Sequence, residues 1–400
     1  MAGELFYFNP TCEMAIANGT ATYTPPKHLE KFRNDLSILP IYFGDAQDVV
    51  LIDSTVPSHF LDDLKNLGWD LPLVVNRSED IPSELLPLRK LSPWGWSPAV
   101  IRRMHSFTNL LGESNEATQI SSWNEELKVM MSRLTGQKLS QLVKDLLLPE
   151  GYISIPEVAL RVDNMPQLIQ MEREMTTPIL LKTPWSASGR GLFKIRSRNE
   201  NVVESNWIKS KFKQQGFLMA EPFLNKIQDL SFHFKKEFGR VVFLGTTFFK
   251  SESDGRFMGC YIGIPEIDIS HIFPLQEVVE QASNLLETSL CSLEEIEDYN
   301  GYIGVDALLF YDDLGEVKLH PCIEVNLRYT MGLLNLSLRK RIHPDSKGFW
   351  NIIVVDELEA STFLNSGKLV FEDGFLVSGK LALTPPPIGG GFMAVMTVDP

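Results

Sequence analysis

Asp306 lies inside the apolar run Gly301-Tyr-Ile-Gly-Val-Asp-Ala-Leu-Leu-Phe310, and eighteen residues later Glu324, Asn326 and Arg328 alternate in Cys322-Ile-Glu-Val-Asn-Leu-Arg328. Alternation with period two sets residues 324, 326 and 328 on one face of a strand, with Asp306 on the preceding strand of a hairpin. A turn through Asp312-Asp-Leu-Gly315, centred near Gly315, would place residues 306 and 324 opposite each other. Two carboxylates on a half-buried sheet repel and are poorly solvated, so they persist with a shared proton or with a cation between them. A hard cation is the simpler explanation. Magnesium suits carboxylate and amide oxygens and completes its shell with phosphate oxygens, which makes Asp306, Glu324 and Asn326 candidate metal ligands. The plain alternative is a hairpin whose polar residues face solvent.

Upstream, Pro178-Ile-Leu-Leu-Lys-Thr-Pro-Trp-Ser-Ala-Ser-Gly-Arg-Gly-Leu-Phe-Lys-Ile195 reads as strand, small-residue loop, strand. Lys182 closes the first strand, and Gly189 and Gly191 flank Arg190. Loops of this composition let backbone N–H groups approach phosphate oxygens while the lysine supplies positive charge. Lys250 leads into Ser251-Glu-Ser-Asp-Gly-Arg-Phe-Met-Gly259, a second polar loop suited to closing over phosphates, so Lys250 and Arg256 are candidates for contacts to the terminal phosphate.

Lys182, Ser186-Ala-Ser-Gly-Arg-Gly191, Glu221-Pro-Phe-Leu224, Asp306 and Glu324-Val-Asn-Leu-Arg328, in this order and spacing, resemble the ATP-grasp superfamily of carboxylate–amine ligases over residues 138 to 335. The resemblance implies ATP, with magnesium or manganese, held between two α+β subdomains, and chemistry through an acyl phosphate. It assigns Lys182, Ser186, Ser188, Gly189, Arg190, Gly191 and Lys250 to the phosphates. The backbone of Glu221, Pro222, Phe223 and Leu224 would meet the adenine edge, and Asp229 the ribose. A phosphate lysine on the helix before this region would be Lys138 first and Lys144 second. Arg328 would orient the acceptor or stabilise a developing oxyanion. Many relatives carry an arginine two residues before the counterpart of Asp306; here that residue is Gly304. The implied partners are a small carboxylate and an amine; a kinase or a non-catalytic nucleotide module is the alternative.

Other phosphate motifs are absent. Gly245-Thr-Thr-Phe-Phe-Lys-Ser251 lacks the second glycine of a P-loop, and Gly189-Arg-Gly191 has no third glycine and leads into a strand rather than a helix. Gly389-Gly-Gly391 reads as a turn.

These motifs need a frame. Strand and helix alternate in the N-terminal part (Leu5–Phe8, Val49–Ile52, Phe60–Leu67, Leu73–Val75), so residues 1–90 are expected to form a small α/β domain of the kind that precedes the nucleotide fold in this family. Residues 91–137 read as a helical connection, with an aromatic turn at 92–98 and a helix cap at Ser97 before Pro98. Residues 138–221 and 222–345 are expected to be the small and large nucleotide subdomains. Residues 346–400 read as a β-rich extension, a dimer or substrate element without a catalytic signature of its own. The expected fold class is therefore α/β with α+β.

The chain has 400 residues, 44% hydrophobic and 22% charged, with a net charge of -14. A balance this acidic argues against nucleic-acid or anionic-membrane partners. Four scattered cysteines form no CxxC pair, the N-terminal residues lack signal-peptide character, and no stretch reaches eighteen apolar residues, so a cytoplasmic protein is expected.

Overall fold

Short apolar runs become strands in the order in which the sequence offers them. The computed structural model describes residues 3–112, 122–148, 151–187, 189–197, 205–269, 273–365 and 368–400. Its strands are Glu4–Tyr7 (β1), Val49–Leu51 (β2), Leu73–Val75 (β3), Lys90–Pro93 (β4), Leu160–Val162 (β5), Ile179–Lys182 (β6), Leu192–Ile195 (β7), Leu218–Pro222 (β8), Asn225–Glu237 (β9), Arg240–Ser251 (β10), Phe257–Ile262 (β11), Gly301–Tyr311 (β12), Val317–Asn326 (β13), Lys347–Val355 (β14), Val370–Glu372 (β15), Phe375–Ala382 (β16) and Gly391–Asp399 (β17). The chain divides into two compact units. One comprises Met1–Trp123, Met258–Pro265 and Arg328–Pro400; the other comprises Asn124–Phe257 and Glu266–Leu327.

In the first unit β1 to β4 form a parallel sheet in the order β3-β2-β1-β4. The inner strands β1 and β2 are buried on both faces, which is why they read as apolar runs: Leu5, Val49, Val50 and Leu51 are wholly inaccessible. The α/β expectation for the N-terminal region is met. Residues 90–93, however, are a strand rather than part of an aromatic turn. Pro93 is tolerated because β4 lies at the edge of the sheet, where a missing N–H breaks no ladder. The expected cap follows: Ser97 accepts a hydrogen bond from the Val100 N–H and Pro98 opens the helix Pro98–Met104. The C-terminal part of this unit forms an antiparallel array in which β14, β17, β16 and β15 neighbour one another in that order. It also contains the helix Glu357–Asn365, which the sequence reading placed among strands because its apolar residues show only weak helical periodicity.

In the second unit, β5 to β8 form an antiparallel sheet in the order β5-β8-β6-β7, covered by the helices Met165–Glu174 and Asn206–Gln215. A second antiparallel sheet runs β13-β12-β9-β10, with the helices Arg133–Leu146 and Leu275–Cys291 packed on it. Residues 230–234 of β9 are buried on both faces, Leu230, Phe232 and Phe234 on one and Ser231 and His233 on the other. Ser132 starts the helix Arg133–Leu146 by accepting from the Leu134 N–H. Among the described residues, no helix is long and apolar enough to cross a membrane.

Candidate nucleotide and cation site

The β12–β13 hairpin turns where its residues demand. Gly315 adopts φ of 78°, and the Asp312 carboxylate accepts from the N–H groups of Leu314 and Glu316. The resulting register sets Asp306 directly opposite Glu324, and Gly304 opposite Asn326. Asn326 donates from Nδ2 to Asp306 Oδ2 at 3.0 Å. Below this pair the register shifts: two positions on β12, from Asp306 to Leu308, face four on β13, from Glu324 to His320. Such a bulge re-aims side chains. Here it carries His320, Cys322 and Ile323 to the wall of a cleft in the second unit.

Arg133, Gln137, Lys182, Met219, Glu221, Pro222 and Leu224 also line that cleft. Lys182, at the end of β6, is buried and its Nζ lies 2.5 Å from Glu221 Oε1 on the neighbouring β8. Arg133 spans several elements. Its Nη1 lies 2.6 Å from Glu324 Oε2, its Nε donates to the Thr183 carbonyl at 3.0 Å, and its Nη2 donates to Ser186 Oγ at 3.3 Å. Neither Arg133 nor His320 was singled out from sequence. The available signal for Arg133 was a cation one residue after a serine cap, where the helix dipole disfavours positive charge unless an anion offsets it.

His320 is neutral, because burial pushes its pKa down to about 3 and the Lys182 charge adds to the effect. Its Nδ1 accepts from the Cys322 N–H at 3.3 Å, which leaves the proton on Nε2. The Cys322 thiol is pushed up to about 12 by burial and is inert as a nucleophile.

The glycine loop is built for close approach. A Cβ on Gly191 would meet Thr183 Oγ1 at 2.1 Å and Ser186 Oγ at 2.2 Å; one on Gly189, whose φ is 73°, would meet the Asp254 carbonyl oxygen at 2.4 Å. The two loops singled out from sequence are thus in backbone contact, 186–191 against 254–256. Ser188 lies outside the described residues. Arg190 and Lys250 are exposed, as is Arg256, which lies 3.6 Å from Glu252.

Several candidates are engaged elsewhere. The Asp229 carboxylate lies 2.6 Å from both Lys226 Nζ and Ser251 Oγ. The Phe223 N–H donates to the Pro178 carbonyl, and its ring lies under Lys194 Nζ at 3.1 Å. Lys138 is largely exposed, 3.9 Å from Glu295, and Lys144 donates to the Pro156 carbonyl. Neither lysine lines the cleft, whose helix-borne cation is Arg133.

Arg328 belongs to the first unit. Its Nε donates to Glu13 and its Nη1 to the Tyr329 carbonyl at 3.1 Å. Burial works to raise the Glu13 pKa, but the Arg328 charge and hydrogen bonds outweigh it and hold the carboxyl below its ordinary value. Gly95 is packed against Cys12 and Arg328: a Cβ added there would lie 2.5 Å from Cys12 Sγ and 3.3 Å from Arg328 Cδ.

Among the described residues, no group of three or more His, Cys, Asp or Glu side chains is placed to hold a metal ion. What the hairpin offers is two carboxylates, an amide and, opposite Asp306 on β9, the buried Ser231 hydroxyl, which no group among the described residues bonds. An all-oxygen, incomplete set of this kind fits a hard cation that keeps water and phosphate ligands.

No protein-family model matches the sequence, and no curated protein matches it. Solved structures do. Pyruvate carboxylase of Rhizobium etli, solved with acetyl coenzyme A, aligns with 100% of this chain and 36% of its own at 12% identity and a TM-score of 0.50. The chain thus spans about a third of that enzyme's length. The biotin carboxylase domain dimer of Hydrogenobacter thermophilus 2-oxoglutarate carboxylase, solved with MgADP, ADP and bicarbonate, aligns with 100% of this chain and 86% of its own, also at 12% identity and a TM-score of 0.50. Likeness at this identity is likeness of fold, and it matches the mixed α/β class expected from sequence.

Proposed function

From the ATP-grasp fold that the chain carries, we propose that the protein is an ATP-dependent ligase that joins a small carboxylate to an amine through an acyl phosphate, releasing ADP and phosphate. The observation that carries this reading is Arg133. One guanidinium lines the cleft, touches the glycine loop through Thr183 and Ser186, and holds Glu324 of the carboxylate pair. That joins in one unit the three parts a nucleotide needs: a pocket, a phosphate loop and a cation site.

The charges support it. Arg133 pairs with Glu324 and Lys182 with Glu221, while Asp306 opposite Glu324 and Glu157 on the cleft wall add two more carboxylates, so the region is net negative. A polyphosphate enters such a place only with a divalent cation. Asp306, Glu324 and Asn326 would hold magnesium, which when bound screens the phosphates and polarises the one being transferred. Met219, Leu224 and Ile323 give the base an apolar wall, and His320 presents an Nε2–H donor to the same cleft. Lys182, kept in place by Glu221, and Arg133, kept by the loop, supply positive charge to phosphate oxygens. The 186–191 and 251–257 segments, whose glycines permit backbone contact, exclude water from the transferred group. Catalysis of this kind is positioning and electrostatics rather than covalent chemistry by the protein. Arg328, oriented by Glu13 within the first unit, keeps a fork that suits carboxylate and phosphate oxygens.

The test is ADP and phosphate release from magnesium-ATP across pools of amino acids and small carboxylic acids, with mass spectrometry of positive pools. A product lighter than its two substrates by one water is expected. A stable phosphorylated product without condensation would replace the ligase with a kinase.

A further inference from the structure

The outer strand of the C-terminal array ends in a tight hairpin. Asp373 and Gly374 both have positive φ, 50° and 83°, the two-residue turn that matches strand twist. It pairs Glu372 with Phe375 and sets β15 on β16. Among the described residues, no other strand is paired with β15, the last in its sheet order. All three of its residues are exposed, Val370 at 45% and Phe371 at 41%. Natural sheets usually blunt such an edge with proline, a charge at its centre or a covering segment. β15 is short and its register on β16 shifts between Val370 and Phe371, but Lys368-Leu-Val-Phe-Glu372 has no proline and no charge between its ends, and among the described residues nothing pairs with its outer side.

The charges fall at the ends of the segment, with opposite signs. In an antiparallel pair of identical segments centred on Val370, residue 368 of one copy faces 372 of the other, 369 faces 371, and 370 faces itself. Every pairing is then favourable: Lys368 with Glu372 twice, Leu369 with Phe371 twice, and Val370 with Val370. Shifting the centre by one residue, to 369 or 371, destroys the ion pairs. We propose that β15 is the contact of a two-fold symmetric homodimer, in which the edge strands of two copies join their sheets. The occupant is a second copy of this chain because the segment is complementary to its own reverse, the requirement of an isologous interface. The pairing is independent of the nucleotide reading. Five residues a side bury less than a standard interface, so the dimer is weak and concentration-dependent.

Sedimentation equilibrium on the full chain tests this. A reversible monomer–dimer equilibrium is expected at concentrations up to about 100 μM, the regime of a weak interface. Lys368→Glu and Glu372→Lys each place two like-charge contacts across the dyad and are expected to weaken association about tenfold, whereas the double variant re-forms both ion pairs and restores it. In a Cys291→Ser background, Val370→Cys is expected to cross-link to its own copy on oxidation. A wild-type chain that stays monomeric, a dimer indifferent to the single reversals, or a double variant no better than either single one would overturn the proposal.

Discussion

Arg133 holds the first position of its helix, where a cation faces the positive end of the helix dipole. The unfavourable placement is offset by Glu324 at 2.6 Å, and the same guanidinium is in reach of whatever occupies the cleft. Replacing Arg133 with Gln should raise the ATP dissociation constant by about 10- to 100-fold, the scale of a lost charge-assisted hydrogen bond. Lysine, which cannot bridge Thr183, Ser186 and Glu324 at once, should recover only part, and calorimetric titration with ATP reads both. Glu324→Gln should lower turnover by about 100-fold while the melting temperature stays near wild type, because the group is partly exposed and acts on charge rather than packing. Unimpaired turnover would remove Glu324 from the cation site. The carboxylate pair was legible in the sequence because strand alternation and the Asp312–Gly315 turn determine which residues face each other. Arg133 was not, since its partners lie 50 or more positions away and only tertiary packing brings them to it.

At the scale of elements, β9 and β13 each bury a neutral histidine. His233, hydrogen-bonded to Thr247 Oγ1 at 2.8 Å, and His320 are both lowered from 6.5 to about 3, chiefly by burial. Between those values the unfolded chain binds protons that the folded sheet does not, so stability falls as the pH drops below 6.5 and continues to fall until about 3. Each histidine contributes a slope of about 1.4 kcal/mol per pH unit in that window. Denaturant titrations should therefore show stability declining before the carboxylates titrate, and His320→Asn should reduce the slope by about one proton's worth. An unchanged slope would mean that His320 is protonated in the folded sheet. Periodicity found β12 and β13 with the turn between them. It could not find the bulge that turns His320, Cys322 and Ile323 to the cleft, because a bulge is a property of two strands in register. The strand β4 escaped notice for a related reason: Pro93 and the aromatics after it look like a turn until the parallel partner β1 is known.

For the whole molecule, the sequence segments and the compact units differ because the chain returns twice to its first unit, at Met258–Pro265 and Arg328–Pro400. Glu13 and Arg328, 315 positions apart, meet inside that unit. The lowered Glu13 pKa means that its stabilising contribution is present above the ordinary value of 4.5 and is lost as the pH falls through the lowered one. Glu13→Gln should abolish that acid-side loss while leaving the His320 effect in place, which pH-dependent unfolding of the two variants would separate. A net charge of -14 is the background against which the cleft must draw in a polyanion, so the divalent cation is central to the account. The most direct measurement is calorimetric binding of ATP with and without magnesium, to the wild type and to an Asp306→Asn, Glu324→Gln double variant. Magnesium should tighten ATP binding to the wild type and have little effect on the variant. No ATP binding, or an equal magnesium effect in both proteins, would contradict a nucleotide site built on this hairpin.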